Sequence, residues 1–162
     1  MNAILFTDID DVLVLRRTVD FDKHRPQMDD DMCSRLVHPP AIQVLSELIE
    51  QGARVVITSN WTRFMNQEGF ERLLAVGNFP REISPLHPAW AAPPQPGGTR
   101  LEAVDAWLRE HHHGEPYAIL DDTDSGSGLH RSAHDIDGRV VLCEPGIGLH
   151  PGHLRLKRPP DS

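Results

Sequence analysis

Four apolar residues, Ala3-Ile4-Leu5-Phe6, run through Thr7 into carboxylates at Asp8, Asp10 and Asp11, after which Val12-Leu13-Val14 is apolar again. A short apolar run with polar ends predicts a strand buried on both faces of a sheet, here over residues 3–8. Downstream, Ala41, Ile42, Leu45, Leu48 and Ile49 recur at helical spacing, with Pro39-Pro40 where a helix start tolerates proline and Gly52 where a stop favours glycine. The β-branched run Arg54–Ser59 predicts a second strand ending in hydroxyls. Strand, helix, strand is the right-handed parallel crossover unit. Met65–Val76 predicts a second helix closed by Gly77-Asn78, Arg81–Leu86 a short third strand, and residues 85–98, rich in proline and glycine, a loop. Leu101–Leu108 reads as a third helix capped by Thr99 and followed by His111-His112-His113-Gly114. Tyr117–Leu120 is a strand leading straight into Asp121-Asp122-Thr123-Asp124, and Arg139–Cys143 is a last strand. Leu15 to Pro40 shows no clear period and is read as a flap or irregular insertion, with a short hairpin near Leu15 and Val19. Residues 1–150 are expected to form a single domain, and residues 151–162 a basic, proline-bearing tail with partial disorder.

Composition narrows the class. The 162 residues suffice for one domain with a real core, and 39% apolar with 25% charged content marks a soluble globular chain. No apolar run approaches the roughly 18 residues of a membrane span. The N-terminus lacks a basic segment followed by an apolar stretch, and Asp8 falls too early for a signal peptide. Cys33 and Cys143 form no C-x-x-C pair, so the expectation is a cytoplasmic protein with reduced thiols. A net charge of −8 argues against tight nonspecific nucleic-acid binding, which needs basic surface. A phosphorylated substrate stays open, because a bound metal inverts the local field. Of 16 basic residues only Lys23 and Lys157 are lysines.

The chemistry lies at predicted strand ends: Asp8 and Asp10 after the first strand, Thr58 or Ser59 after the second, Asp121 and Asp122 after the fourth. In an open parallel sheet these fall on one edge, where ligands bind. Carboxylates that crowded repel unless a proton or a hard cation such as Mg²⁺ lies among them. Asp8-Ile9-Asp10-Asp11-Val12-Leu13 resembles the first motif of the haloacid dehalogenase (HAD) superfamily, mostly Mg²⁺-dependent phosphatases and phosphotransferases. Val55-Val56-Ile57-Thr58 resembles its second motif and Ala118-Ile119-Leu120-Asp121-Asp122 its fourth. The third motif usually supplies a lysine, which no position between the second and fourth offers; Arg100 at the third helix start is the best substitute, although a planar fork is not a point charge. Gly98-Thr99-Arg100 with Glu102 and Ala106-Trp107-Leu108, the run Tyr117–Asp124, Thr58-Ser59-Asn60-Trp61 and Gly146-Ile147-Gly148-Leu149 are together similar to the small HAD domains linked to "Swiss-army-knife" RNA-repair proteins, over roughly residues 3–150.

The resemblance implies a three-layer, Rossmann-like α/β fold with a central parallel sheet of about five strands in order 3-2-1-4-5 and no large cap. It also implies a Mg²⁺-dependent phosphoric monoester hydrolase. Asp8 would be the nucleophile that forms an aspartyl-phosphate, and Asp10 the general acid and base. Thr58, Ser59, Asn60 and Arg100 would hold the phosphoryl group. The metal ligands would be Asp8, Asp10 through its backbone carbonyl, Asp122, and Asp121 directly or one step removed; Asp11 would be structural. The substrate would be small or macromolecular, with a nucleic-acid end compatible with an open site but unsupported by net charge; no membrane partner is implied and the oligomeric state is open. The missing lysine keeps a second reading in view, a non-catalytic HAD-like binding or regulatory module. His111-His112-His113 reads either as a transition-metal site or as a solvated helix end, Trp61 as core or as a stacking surface, and Gly126-Ser127-Gly128 resembles a phosphate-cradling turn by composition alone.

Overall fold

The computed structural model describes residues 2–15 and 30–156. Its elements are β1 (Ile4–Thr7), α1 (Asp30–Leu36), α2 (Pro39–Glu50), β2 (Arg54–Ile57), a 3-10 turn at Asn60–Arg63, α3 (Gln67–Leu74), β3 (Leu86–Ala91), α4 (Arg100–His111), β4 (Tyr117–Asp122), a second 3-10 turn at Ser127–Leu129, α5 (Ala133–Ile136), β5 (Val140–Cys143) and α6 (Pro151–Leu156). All strand pairs are parallel, in the order β3-β2-β1-β4-β5. This is the α/β sheet that the strand and helix periods predict, with β1 at its centre. Register fixes the edge: Thr7 pairs with Ile57 on one side and with Leu120 on the other, so Asp8, Thr58 and Asp121 come side by side. Asp121 and Asp122 do not follow β4, as the expected strand Tyr117–Leu120 had it, but are its last two residues, paired with Leu142 and Cys143 of β5.

The alternation of the strands divides the core in two. Leu5, Val55, Ile57, Leu120 and Val141 point to one face, where α2 and α3 deliver Leu45, Ile49, Phe70 and Leu73. Ile4, Phe6, Val56, Ile119 and Val140 point to the other, where α4 delivers Val104 and Trp107. Because both faces are covered, β1, β2 and β5 read as short, nearly continuous apolar runs. Phe6 is fully buried with its ring edge-on to Trp107 (centroids 5.2 Å, 87°) and Tyr117 (6.0 Å, 84°). Trp107 satisfies its indole N–H on the Ala89 carbonyl at 2.7 Å, which ties α4 to β3.

Past Thr7 the chain folds back on itself. Val12, Leu13 and Val14 all send their N–H groups to the Ile9 carbonyl (3.2, 3.0 and 3.0 Å), and the Asp11 N–H returns to the Val14 carbonyl at 2.7 Å. Asp11 takes φ +59° to close this turn, a left-handed conformation that Asp and Asn tolerate better than other L residues. Ile9, Val12, Leu13 and Val14 are all fully buried, so the turn is core rather than a solvated acidic loop.

Several expectations are corrected. The third strand is Leu86–Ala91, not Arg81–Leu86, and lies inside the stretch read as loop. Its Pro88 breaks the sequence signal, yet the strand sits at the sheet edge with a register shift between its two pairings to β2, where a missing N–H is tolerated. The second helix begins at Gln67, capped by the Asn66 side chain on Gly69 N, and the third runs on to His111. α5 has no counterpart among the predicted elements. The stretch 15–40 is not irregular throughout: α1 lies against α3, and Val37 bridges Val14 antiparallel. The hairpin expected near Val19 lies outside the described residues. The tail begins as helix α6 against α2, with Pro151 at the first helical position where its fixed φ is suited; residues 157–162 lie outside the described residues. No helix among the described residues is long and apolar enough to cross a membrane, and Cys33 and Cys143 are buried and not joined in a disulfide.

Two stability predictions follow from the packing. Phe6→Ala, which empties the seam between the sheet and α4, is expected to cost about 3–5 kcal/mol in urea unfolding. At Asp11, Asn is expected to be tolerated, whereas Ala is expected to lose roughly 1–2 kcal/mol for the left-handed backbone, measured by the same titration.

Candidate active site

The three acids at the carboxyl edge of the sheet are the most buried charged groups in the described chain: Asp8 and Asp121 are 1% exposed and Asp122 is fully buried. Each follows one rule. One carboxylate oxygen is held by backbone N–H groups close in sequence: Asp8 Oδ1 by Ile9 N (2.8 Å), Asp121 Oδ1 by Asp122 N (2.8 Å), and Asp122 Oδ1 by Asp124 N (2.9 Å) and Ser125 N (2.7 Å). The other oxygen, Oδ2 in every case, is buried with no hydrogen-bond partner. Ligand oxygens of the three residues lie within 4.8 Å of one another, the one such group of His, Cys, Asp or Glu side chains among the described residues.

Arg100 answers this charge. As the first residue of α4 it is only 9% exposed, and its Nη2 lies 3.2 Å from Asp8 Oδ1 while Nε lies 3.8 Å from Asp121 Oδ2. Its Nη1 donates to the Thr58 carbonyl and, at 3.4 Å, to Thr58 Oγ1. Thr99 caps α4 by accepting from Glu102 N at 3.1 Å, which fixes where the helix, and hence Arg100, begins. One guanidinium against three carboxylates leaves the cluster negative. Burial raises the Asp8 pKa well above the ordinary carboxylate range, Asp121 raises it further, and Arg100 opposes both. Asp121 is raised by burial in the same way, again against Arg100. An all-oxygen set with three orphaned oxygens and an unneutralised charge fits a hard divalent cation. Cys143 on β5 adds no ligand: burial first, then the neighbouring acids, push its thiol up to about 12, so it stays neutral.

The sequence-predicted residues divide. Asp8, Asp121, Asp122, Thr58 and Arg100 converge. The Asp10 carboxylate stands apart from the acid cluster and accepts from the Trp61 indole N–H at 3.0 Å. That bond, and the 3% exposure of Trp61, make the ring a core residue with a polar handle rather than a stacking surface. Ser59 is buried and spends its hydroxyl accepting from Trp61 N (3.1 Å) to start the 3-10 turn, while Asn60 is exposed beside it. Asp11 Oδ1 faces Gly146 N at 3.5 Å, linking the first turn to the loop after β5.

Two further groups matter here. Gly126 donates to the Asp122 carbonyl at 2.9 Å, and a Cβ there would sit 2.7 Å from that oxygen and 2.9 Å from Asp121 Cβ. Of the Gly126-Ser127-Gly128 run, it is this close approach to the acids that requires glycine. The Trp61–Asp10 bond spans 51 residues and left no trace in local spacing. His111, His112 and His113 do not converge: His112 Nε2 pairs with the Glu115 carbonyl (2.7 Å), and His111 faces Glu110 (3.7 Å).

This is a phosphatase- or hydrolase-type fold with a buried acid cluster suited to a divalent metal. A search among curated proteins returns no match. The family model for the HAD domain in Swiss Army Knife RNA repair proteins matches residues 4–154, nearly the whole chain, and the chain belongs to that family.

Proposed function

We propose that the protein is a Mg²⁺-dependent phosphoric monoester hydrolase that works through an aspartyl-phosphate on Asp8. The observation that carries this reading is the buried cluster of Asp8, Asp121 and Asp122, each with one carboxylate oxygen that accepts no hydrogen bond, faced by Arg100. Asp8, Asp122, Asp121 and the Asp10 backbone carbonyl would hold Mg²⁺, which supplies positive charge to the phosphoryl oxygens and to the acids around them.

Asp8 attacks phosphorus in line, and the bond to the ester oxygen breaks as the bond to the carboxylate forms. Asp10 gives its proton to the departing oxygen. It then takes a proton from the water that attacks the same phosphorus, releasing inorganic phosphate and restoring Asp8. The Trp61 indole keeps the Asp10 carboxyl oriented and apart from the acid cluster. Arg100, anchored on Thr58, and the Thr58 hydroxyl stabilise the phosphoryl oxygens as charge shifts from the ester to Asp8. The site lies at the sheet edge, where a large leaving group has room, and a nucleic-acid end is the macromolecular form that the family's description suggests. A non-catalytic binding module remains the competing reading on one observation: arginine, not lysine, faces Asp8, and part of its fork is already engaged by Thr58.

Hydrolysis of p-nitrophenyl phosphate with and without Mg²⁺ separates the two. Wild type is expected to turn it over only with the metal, Asp8→Asn to lose roughly three or more orders of magnitude, and Thr58→Ala to raise KM. In a crystal soaked with beryllium fluoride and Mg²⁺, the adduct is expected on Asp8; density on any other residue overturns the assignment.

Metal-free stability gives an independent test. Because the folded-state pKa of Asp8 is raised, the native state holds more protons than the unfolded one between the two values, and stability falls as pH rises through that window. Asp8→Asn removes this loss. In EDTA at neutral pH the variant is expected to be more stable by roughly 1–3 kcal/mol, about 2–4 °C per kcal/mol. The gap should close as pH falls toward the ordinary carboxylate range, and Mg²⁺ should raise the melting temperature of wild type more than that of the variant.

A further inference from the structure

Beside the acid cluster opens a cleft of about 450 Å³ that the mechanism leaves unused. Its inner end is the active site itself, since Arg100 and Ser125 line it and Ser125 N is bonded to Asp122 Oδ1. One wall is the 3-10 turn that follows Thr58-Ser59, with Asn60 at its start and the exposed Arg63 at its end. The Gln95–Thr99 loop and Ser127 also line the cleft.

Three properties of this lining point to a ligand. Both charged residues in it are arginines, and no described carboxylate lines it, in a chain with 24 acids against 16 bases. Among the described residues, the Arg63 side chain forms no hydrogen bond or ion pair, whereas Arg100 is committed to Asp8 and Thr58. The remaining side chains offer amides and hydroxyls, and no aromatic ring is presented, because the adjacent Trp61 is buried and bonded to Asp10. Such a surface holds its ligand by charge and hydrogen bonds, not by stacking a base.

Building on the phosphatase reading, we propose that this cleft receives a polyhydroxylated leaving group carrying a second phosphate, with Arg63 as the residue that binds that phosphate. The ester to be cleaved sits at Asp8, the sugar hydroxyls meet Asn60, Gln95 and Ser127, and the distal anion reaches Arg63. A free sugar bisphosphate and the end of a nucleic-acid strand, whose next phosphodiester supplies the second charge, share this chemistry.

The test compares kcat/KM, with Mg²⁺, for ribose 1,5-bisphosphate against ribose 5-phosphate and for a 5′-phosphorylated dinucleotide against a 5′-mononucleotide, with p-nitrophenyl phosphate alongside. Wild type is expected to prefer the second-phosphate member of at least one pair by about tenfold, less at high salt. The pair that shows it identifies the source. In Arg63→Ala the preference should collapse to within about twofold of unity, in Arg63→Lys it should survive in part, and in Arg72→Ala, on α3, it should persist. No preference in either pair, or a preference that Arg63→Ala leaves intact, overturns the subsite while Mg²⁺-dependent hydrolysis of p-nitrophenyl phosphate still stands. Absence of Mg²⁺-dependent hydrolysis of every ester overturns the phosphatase reading and the subsite with it.

Discussion

Three buried carboxylates around one guanidinium form the constraint on which the rest of this structure depends. Taking an ion out of water costs several kcal/mol even after relaxation, and a neighbouring like charge adds to that. Arg100 alone does not offset the burial of Asp8 and Asp121, whose pKa values are both raised. The fold tolerates the cluster because the sheet beneath it is covered on both faces by apolar helices, with Phe6, Ile57 and Leu120 fully or nearly fully buried just below the acids. Stability is concentrated in the layers, and the edge carries charge that a proton or a cation must neutralise.

The way each acid is held makes the cluster specific rather than merely costly. Backbone N–H groups fix one oxygen of every carboxylate, so the side chains cannot swing out to solvent and relieve the repulsion. The second oxygens are thereby left buried with no hydrogen-bond partner. Gly126 enforces the same arrangement from the other side, since its turn packs where any side chain would meet Asp121 and the Asp122 carbonyl. A site whose ligands are immobilised before anything binds loses little to reorganisation when charge develops.

The strand ends were legible in the sequence because their residues obey two local rules at once, an apolar run and then a polar break. Asp8, Thr58, Asp121 and Asp122 could be placed on one edge with no knowledge of packing, since parallel strands joined by helices have no other arrangement. Thr99 and Arg100 were legible for a similar reason, a capping residue followed by a helical period. β3 was not, because Pro88 and the register shift beside β2 erase its alternation; its place is set by tertiary contacts such as Trp107 on the Ala89 carbonyl. The Trp61–Asp10 bond was equally invisible, because it joins two turns after different strands. Spacing rules describe one element at a time, and this bond belongs to none.

The arginine where lysine would be usual has a geometric reading. A lysine ammonium is a single point of charge and could lie against Asp8 or against Thr58, but a fork spans both. Arg100 uses Nη1 on Thr58, Nη2 on Asp8 and Nε toward Asp121, so one side chain ties β2, β1 and β4 together at the edge where they separate. A phosphoryl group entering beside Asp8 would meet donors already held by three strands, with no free rotation to lose. The same anchoring holds Arg100 beside Asp8, since moving it outward would strand the Thr58 carbonyl and uncover Asp8. Arg63 is the one other cation among the described residues lining the adjoining cleft.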